Sequence, residues 1–302
     1  MEQGRFYETT TDPKILQILE HMTRETILSL RRICERYGEG EEDVRHYDVY
    51  SLETPSGRKI LKKTEERETF NYTQYLAGKS LPVPDFFGKW EEAGDIWILI
   101  EEIEGEDLRN MTDALTLAAA DALAQLQNAY WQEGEEEFSD KKTDDRFAIY
   151  WNRILRRAAS VADQPTLRKA YDLFLNRQPE APRTLSNGDF LQFNLVHTAG
   201  RVTVIDWGFG GIMPYSLDIA RFIAHATETA CTFPFYMTDG QKKLFLERVY
   251  EKLDRKPPYI QFIRDIRLAV LNEYSEFVEA EEDETGWYLT HALQLAEELL
   301  AE

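Results

Sequence analysis

Hydrophobic positions along the chain follow two successive periods, and the change from one to the other divides it. Before about residue 102, short apolar runs bounded by turn residues predominate. Val44 to Leu52, Arg58 to Lys63 and Trp97-Ile98-Leu99-Ile100 read as strands, with a first strand expected around Ile27 to Ile33. Thr54-Pro55-Ser56-Gly57 supplies the turn that makes Val44 to Lys63 a hairpin. Two helices interrupt this region. Asp12-Pro13 starts the first, with a capping carboxylate and a proline at the first helical position, and Ile15, Leu16, Ile18, Leu19 and Met22 give it one apolar face. The second is expected from about Glu65 to Ala77, closed by Gly78.

From Met111 onward the period is helical. Leu115 to Trp131, Phe147 to Ala159 and Leu167 to Leu175 carry amphipathic stripes, Pro182 ends the block, and helices resume at Ile219-Ala220-Arg221-Phe222-Ile223 and from Lys242 to the end. The pattern therefore predicts an α+β protein with a small β-rich lobe over residues 1–102 and a mostly helical lobe over 103–302.

The break between helices, near residue 187, holds the chemistry. Asn187-Gly188-Asp189 is followed by Asn194, and Leu195-Val196-His197 and Arg201-Val202-Thr203-Val204-Ile205 read as two short strands joined by Thr198-Ala199-Gly200. That hairpin returns Asp206 beside Asn194. An aspartate, an asparagine five positions on and a second aspartate after a hairpin are what kinase-type phosphoryl transfer requires. Acidic groups near a triphosphate are tolerated only with divalent cations between them and the phosphate oxygens. Asn194 and Asp206 offer the hard oxygen ligands Mg²⁺ prefers, which leaves Asp189 to orient the attacking hydroxyl and take its proton. The plainer reading, that these are ordinary turn residues around any hairpin, does not account for the spacing of so many polar positions.

These residues resemble the aminoglycoside phosphotransferase and choline kinase group of small-molecule kinases, whose pattern runs His-Gly-Asp, four residues, Asn, a hairpin, Ile-Asp-Trp and then Asp-Leu-Ala. Here the series is Asn187-Gly188-Asp189, Asn194, Ile205-Asp206-Trp207 and Asp218-Ile219-Ala220. The resemblance implies a bilobal protein-kinase-like fold, ATP and Mg²⁺ as cofactors, and transfer of the γ-phosphate to a small-molecule hydroxyl. It makes Lys62 the lysine that bridges the nucleotide phosphates to a helix glutamate, with Glu68 at the matching position and Glu65 and Glu66 as rivals. All three glutamates also fit a solvated acidic first turn. Lys63 is expected on the opposite face of the strand. Glu101-Glu102-Ile103-Glu104-Gly105 looks like the family's hinge segment, where backbone groups of Glu101 and Ile103 would read adenine. Asp218 is expected to brace the catalytic loop by hydrogen bonds.

Three departures accompany the resemblance. Asn187 replaces the usual histidine, although its amide can also hydrogen-bond backbone. Gln127 stands where a histidine is common in the family. The Glu39 to Asp43 loop puts carboxylates where protein kinases present glycine amides to phosphate. The Glu279 to Glu284 run, with Trp287 and Tyr288 beside it, reads either as a solvated loop with core aromatics or as part of an acceptor pocket.

Composition narrows the partners. The chain has 302 residues, 43% hydrophobic and 30% charged, as expected of a globular protein. A net charge of -20 argues against nucleic acid and anionic membranes and favours an amino-bearing acceptor such as an aminoglycoside. No apolar run reaches the length of a membrane span, and no secretory signal is visible at Met1 to Arg5, so a cytoplasmic protein is expected. Cys34 and Cys231 are too few for a disulfide framework and read as buried fillers. Choline, ethanolamine, homoserine and methylthioribose are rival acceptors. A nucleotide-binding protein without turnover is the rival of another class.

Overall fold

A computed structural model describes residues 4–38, 40, 43–132, 146–226, 235–281 and 283–302. The chain forms two compact units, Met1–Glu104 and Gly105–Glu302.

The first unit is a six-stranded antiparallel sheet in the order β1-β2-β3-β4-β6-β5. Its strands are β1 (Gly4–Thr9), β2 (Ser29–Arg36), β3 (Val44–Thr54), β4 (Gly57–Thr64), β5 (Phe86–Glu92) and β6 (Asp95–Glu101). Helix α1 (Pro13–Met22) starts as its sequence requires, the Asp12 carboxylate accepting from Lys14 N at 2.9 Å. Its Ile15, Ile18 and Leu19 pack with Leu30, Tyr50, Leu52, Leu61, Trp97 and Leu99, so one helix face covers one sheet face. The expected first strand is in fact the second. β1 precedes α1 and pairs antiparallel with β2, and six residues with no clean alternation gave no sign of it.

After β4 the chain enters α2 (Glu66–Asn71), whose last turn, Tyr72–Leu76, widens into a π-turn before Gly78 takes φ +71°. The expected helix thus ends at Leu76 rather than Ala77.

In the second unit, α3 (Asp113–Ala129), α4 (Arg146–Ser160), α5 (Pro165–Arg177), α6 (Ser216–Ala224), α7 (Asp239–Lys252), α8 (Tyr259–Glu279) and α9 (Trp287–Ala301) surround two small sheets. The three-stranded one has β7 (Glu106–Asp107), β9 (Leu195–Thr198) and β10 (Arg201–Val204) in the order β10-β9-β7, and β8 (Arg183–Ser186) pairs with β11 (Gly211–Pro214). One hydrophobic core in it joins Ile154, Leu167, Phe174, Leu271, Ala292 and Leu299. Tyr288 belongs to the interior, 1% exposed and stacked on Phe277 at 4.5 Å, and Trp287 stacks on His291 at 3.9 Å. Asp283 accepts from Tyr288 N and Leu289 N at the start of α9, and Glu279 accepts from Arg157, so these two members of the acidic run have structural work. Glu282 lies outside the described residues.

Cys34 is buried, and Cys231 lies outside the described residues. Among the described residues no helix is long and apolar enough to cross a membrane.

Candidate functional site

In the sheet unit, β3 and β4 pair so that Lys62 lies opposite Val49, and on its other side opposite Ile98 of β6. Consecutive strand residues point to opposite faces. Lys62 Nζ donates to Glu68 Oε1 at 3.0 Å, with Oε2 at 2.9 Å, whereas Lys63 Nζ pairs with Asp95 at 2.7 Å. Glu68 is 2% exposed and also accepts from Thr64 Oγ1, while Glu65 and Glu66 are exposed. The glutamate that meets the lysine is therefore Glu68. Glu101 ends β6, and its amide donates to Asp85 O at 2.8 Å. Ile103 follows in the irregular segment, partly exposed. In the loop between β2 and β3, Asp43 turns inward on its own turn and accepts from Gly40 N at 2.8 Å. Glu39, Glu41 and Glu42 lie outside the described residues.

In the helical unit, β8 delivers Asn187-Gly188-Asp189. Gly188 has φ +77°, and a Cβ there would sit 2.3 Å from Phe209 O, so both conformation and space require glycine. Asp218, buried in α6, accepts from Ser186 Oγ at 2.7 Å, Asn187 N at 2.7 Å and Gly188 N at 3.1 Å, which is the expected brace. Burial pushes its carboxyl up to about 6, against the pull of those three donors. A folded-state value above the ordinary 3.8 means that its contribution to stability is complete below about 4 and is lost as pH rises through about 6. Asp218→Asn should flatten the fall in unfolding free energy over that window, measured by urea titration at a series of pH values. An unchanged slope would show that Asp218 does not titrate there.

Asn187 extends the brace across the hairpin. Its Nδ2 donates to Ile205 O at 3.2 Å and Asp206 O at 3.0 Å, and its Oδ1 accepts from Asp189 N at 3.3 Å. An amide thus ties both aspartate segments together where the resembling family has histidine. Gln127 is structural as well, donating to Tyr215 O at 2.7 Å.

The β9–β10 hairpin turns through Ala199 and Gly200, both at positive φ, the geometry of the tightest hairpins. It leaves Ile205 N donating to Asn194 O at 2.9 Å and Asp206 at φ +58°. A left-handed aspartate is strained, and such strain persists only where its surroundings hold it. Asn194 Nδ2 is committed to Asp189 O and Oδ2, both at 2.9 Å, so its Oδ1 is the atom left for a cation. Asn194 Oδ1 and the exposed Asp206 carboxylate fit Mg²⁺ as a donor set: hard oxygens, few in number, with room for water and phosphate oxygens.

One partner of Asp189 escaped the sequence reading. Arg221 in α6 donates to Asp189 Oδ1 from Nε at 3.2 Å and Nη2 at 2.9 Å, and from Nη1 to Glu273 Oε2 in α8 at 2.8 Å. His225, fully buried, lies 3.2 Å from Glu273 Oε2 and 3.0 Å from Tyr288 Oη. Burial alone would raise the Glu273 carboxyl, but Arg221 and His225 hold it far below the usual range. Burial likewise opposes the Arg221 charge, and Glu273 and Asp189 outweigh it. Burial lowers the His225 pKa. A glutamate inside the apolar stripe of α8 was the one available signal.

A sequence profile of the phosphotransferase enzyme family matches residues 42–242. The chain belongs to that family. No curated protein matches the sequence significantly. Among solved structures, a choline kinase from Cryptosporidium parvum Iowa II is 13% identical, with a TM-score of 0.59 over 96% of this chain and 97% of that one. A thermostable mutant of the aminoglycoside phosphotransferase APH(4)-Ia, in a ternary complex with ADP and hygromycin B, is 17% identical with a TM-score of 0.56, over 97% and 98%. A putative fructosamine-3-kinase from Haemophilus somnus is 15% identical, with a TM-score of 0.54 over 95% and 96%. At such identities the likeness establishes the fold, which is the protein-kinase-like α+β arrangement expected from the sequence.

Proposed function

We propose that this member of the phosphotransferase family is a small-molecule kinase that moves the γ-phosphate of ATP to a hydroxyl. The observation that carries the reading is Asp189 held by Asn194 and Arg221, on a loop tied through Asn187 to Asp206. Asn194 and Asp206 would hold Mg²⁺, which offsets phosphate charge when bound. Lys62, fixed by Glu68, would take phosphate oxygens, and the backbone of Glu101 and Ile103 would receive adenine. Residues 1–102 would serve nucleotide binding and 103–302 the acceptor.

Asp189 orients the acceptor hydroxyl and receives its proton as the hydroxyl oxygen bonds to the γ-phosphorus. The bond from that phosphorus to the bridging oxygen breaks, and its electron pair leaves on ADP. Because the transition state is loose, positioning outweighs basicity. A carboxylate held by two partners suits positioning.

Asp206→Ala should abolish the Mg²⁺ dependence of ATP binding. Calorimetric ATP titrations with and without Mg²⁺ measure this, and an unaltered metal effect in the variant would remove Asp206 from the metal site. A second reading, nucleotide binding without turnover, draws on the Arg221 grip on Asp189. Mg·ATP binding with no ADP from any acceptor would favour it.

The acceptor was expected to bear amines because the chain carries a net -20. That charge is a property of the whole chain, whereas selectivity depends on the groups around the acceptor.

A further inference from the structure

One end of the sheet unit gathers three side chains that phosphotransfer does not use. Glu8 of β1, Cys34 of β2 and His46 of β3 bring a carboxylate oxygen, a sulfur and an imidazole nitrogen within 4.8 Å of one another. Cys34 lies directly opposite His46 in the β2–β3 pairing, and Glu8 lies opposite Arg32, two positions from Cys34. Alternation therefore sends all three side chains to one face.

A bulge makes this meeting possible. Arg32 faces Tyr50, and an unbroken register would then put Asp48 opposite Cys34. Instead Tyr47, Asp48 and Val49 of β3 stand against Ile33, and His46 takes that place. The displaced Asp48 accepts from Arg32 Nη2 at 2.6 Å, and Arg32 Nε donates to Tyr47 O at 2.7 Å, so the Arg32 guanidinium is engaged by the bulge itself.

Donor set and spacing suit a zinc-class ion. Tetrahedral zinc, with bonds of about 2.0 Å to nitrogen and oxygen and about 2.3 Å to sulfur, separates its ligand atoms by about 3.3 to 3.6 Å. His46 Nε2 and Glu8 Oε2 already stand at 3.3 Å, and the sulfur need close by little more than about 1 Å. The His46 and Glu8 side chains are 45% and 48% exposed while Cys34 is buried, so sulfur forms the floor of the site and the other two donors its rim. An exposed imidazole–carboxylate pair is worth little to the fold, and exchanging it for a shared cation costs little. Burial, with the negative charge of Glu8 beside it, raises the Cys34 pKa against the pull of Arg32. The thiol thus stays protonated until a metal displaces that proton to solvent. Thiolate and carboxylate then balance the 2+ charge. Mg²⁺, which takes oxygen ligands, is not matched to a thiolate and an imidazole.

We propose that Glu8, Cys34 and His46 form a zinc site, with water in the fourth position, that clips the edge of the sheet. β1 is the outermost strand and pairs with β2, and a shared ion would anchor it to β3 as well. This proposal is independent of the phosphotransfer reading.

The test uses the full chain, stripped with a chelator, then titrated with Zn²⁺ against a chromophoric chelator and separately with Co²⁺, whose bond to a thiolate gives a charge-transfer absorption that oxygen ligands do not. A Zn²⁺ should bind with a Kd of about 1 µM or tighter, and the cobalt band should persist in excess Mg²⁺. Cys34→Ser should abolish that band, His46→Gln should weaken zinc at least about 100-fold, and Glu8→Gln at least about tenfold. Zn²⁺ should raise the unfolding midpoint of the wild type by several degrees and leave that of His46→Gln unmoved. Glu8 and His46 are exposed, so their variants carry the test if Cys34→Ser folds poorly. Zinc binding weaker than about 100 µM, or zinc affinity unchanged in His46→Gln, would overturn the proposal. So would a cobalt spectrum without the thiolate band, or a band kept in Cys34→Ser and lost in Cys231→Ser.

Discussion

Asp189→Asn is expected to lower ADP production by about 10²- to 10⁴-fold, equivalent to roughly 3 to 5 kcal/mol of barrier. Asparagine keeps the shape and can still meet Asn194, but it neither takes the hydroxyl proton nor carries the charge that Arg221 binds at 2.9 Å. Mg·ATP affinity should be unchanged, because the proposed metal and phosphate ligands are other side chains. Glu273 still pairs with Arg221 at 2.8 Å, so the variant should also fold. Steady-state ADP release and calorimetric nucleotide titration together separate the outcomes. A rate within threefold of wild type would exclude Asp189 from the reaction, and a parallel loss of nucleotide affinity would show that the loop itself had collapsed.

The elements that came directly from the sequence are those in which local chemistry and tertiary packing agree. Helix α1 has its cap, its proline and a single apolar face, and it forms as expected. The β9–β10 hairpin has β-branched strands around a glycine turn, and it returns Asp206 to the Asn194 segment through Ile205. The pairing of Lys62 with Glu68, and of Lys63 with Asp95 instead, follows from strand alternation once β4 is placed. Where neighbours distant in sequence decide the structure, the reading fell short. β1 exists because β2 offers it a partner, and the final turn of α2 widens to π with no breaker to announce it.

The same division runs through the candidate site. Asp189, Asn194 and Asp206 lie within eighteen residues of one another and were legible as a motif. Arg221 and Glu273 reach Asp189 from two separate helices, and no local spacing connects them. Their pairing also means that the net charge of the whole chain says little about the groups around Asp189. Most acidic side chains of a folded protein face water, whereas Asp189, Glu273 and Glu276 are matched by arginines.

The buried network makes the second large effect one of stability. Glu273→Ala is expected to cost about 3 to 5 kcal/mol, the usual consequence of removing one partner from a buried ion pair. It withdraws the oxygen that Arg221 and His225 both approach, and leaves Asp189 as the carboxylate that Arg221 still meets at 2.9 Å. For a domain of this size the loss corresponds to a fall in Tm of roughly 6 to 20 °C. Burial lowers the His225 pKa, and the Glu273 side chain that opposes this shift would be gone in the variant. Arg221→Met combined with Glu273→Leu should recover much of the loss, because well-packed apolar groups can replace a buried pair at little cost, although Asp189 then also loses its guanidinium. The double variant therefore separates two roles of the network: restored stability with impaired turnover would show that Arg221 positions Asp189. If Glu273→Ala unfolds within 0.5 kcal/mol of wild type in urea, the network contributes little to stability, and its role must be sought in the rate alone.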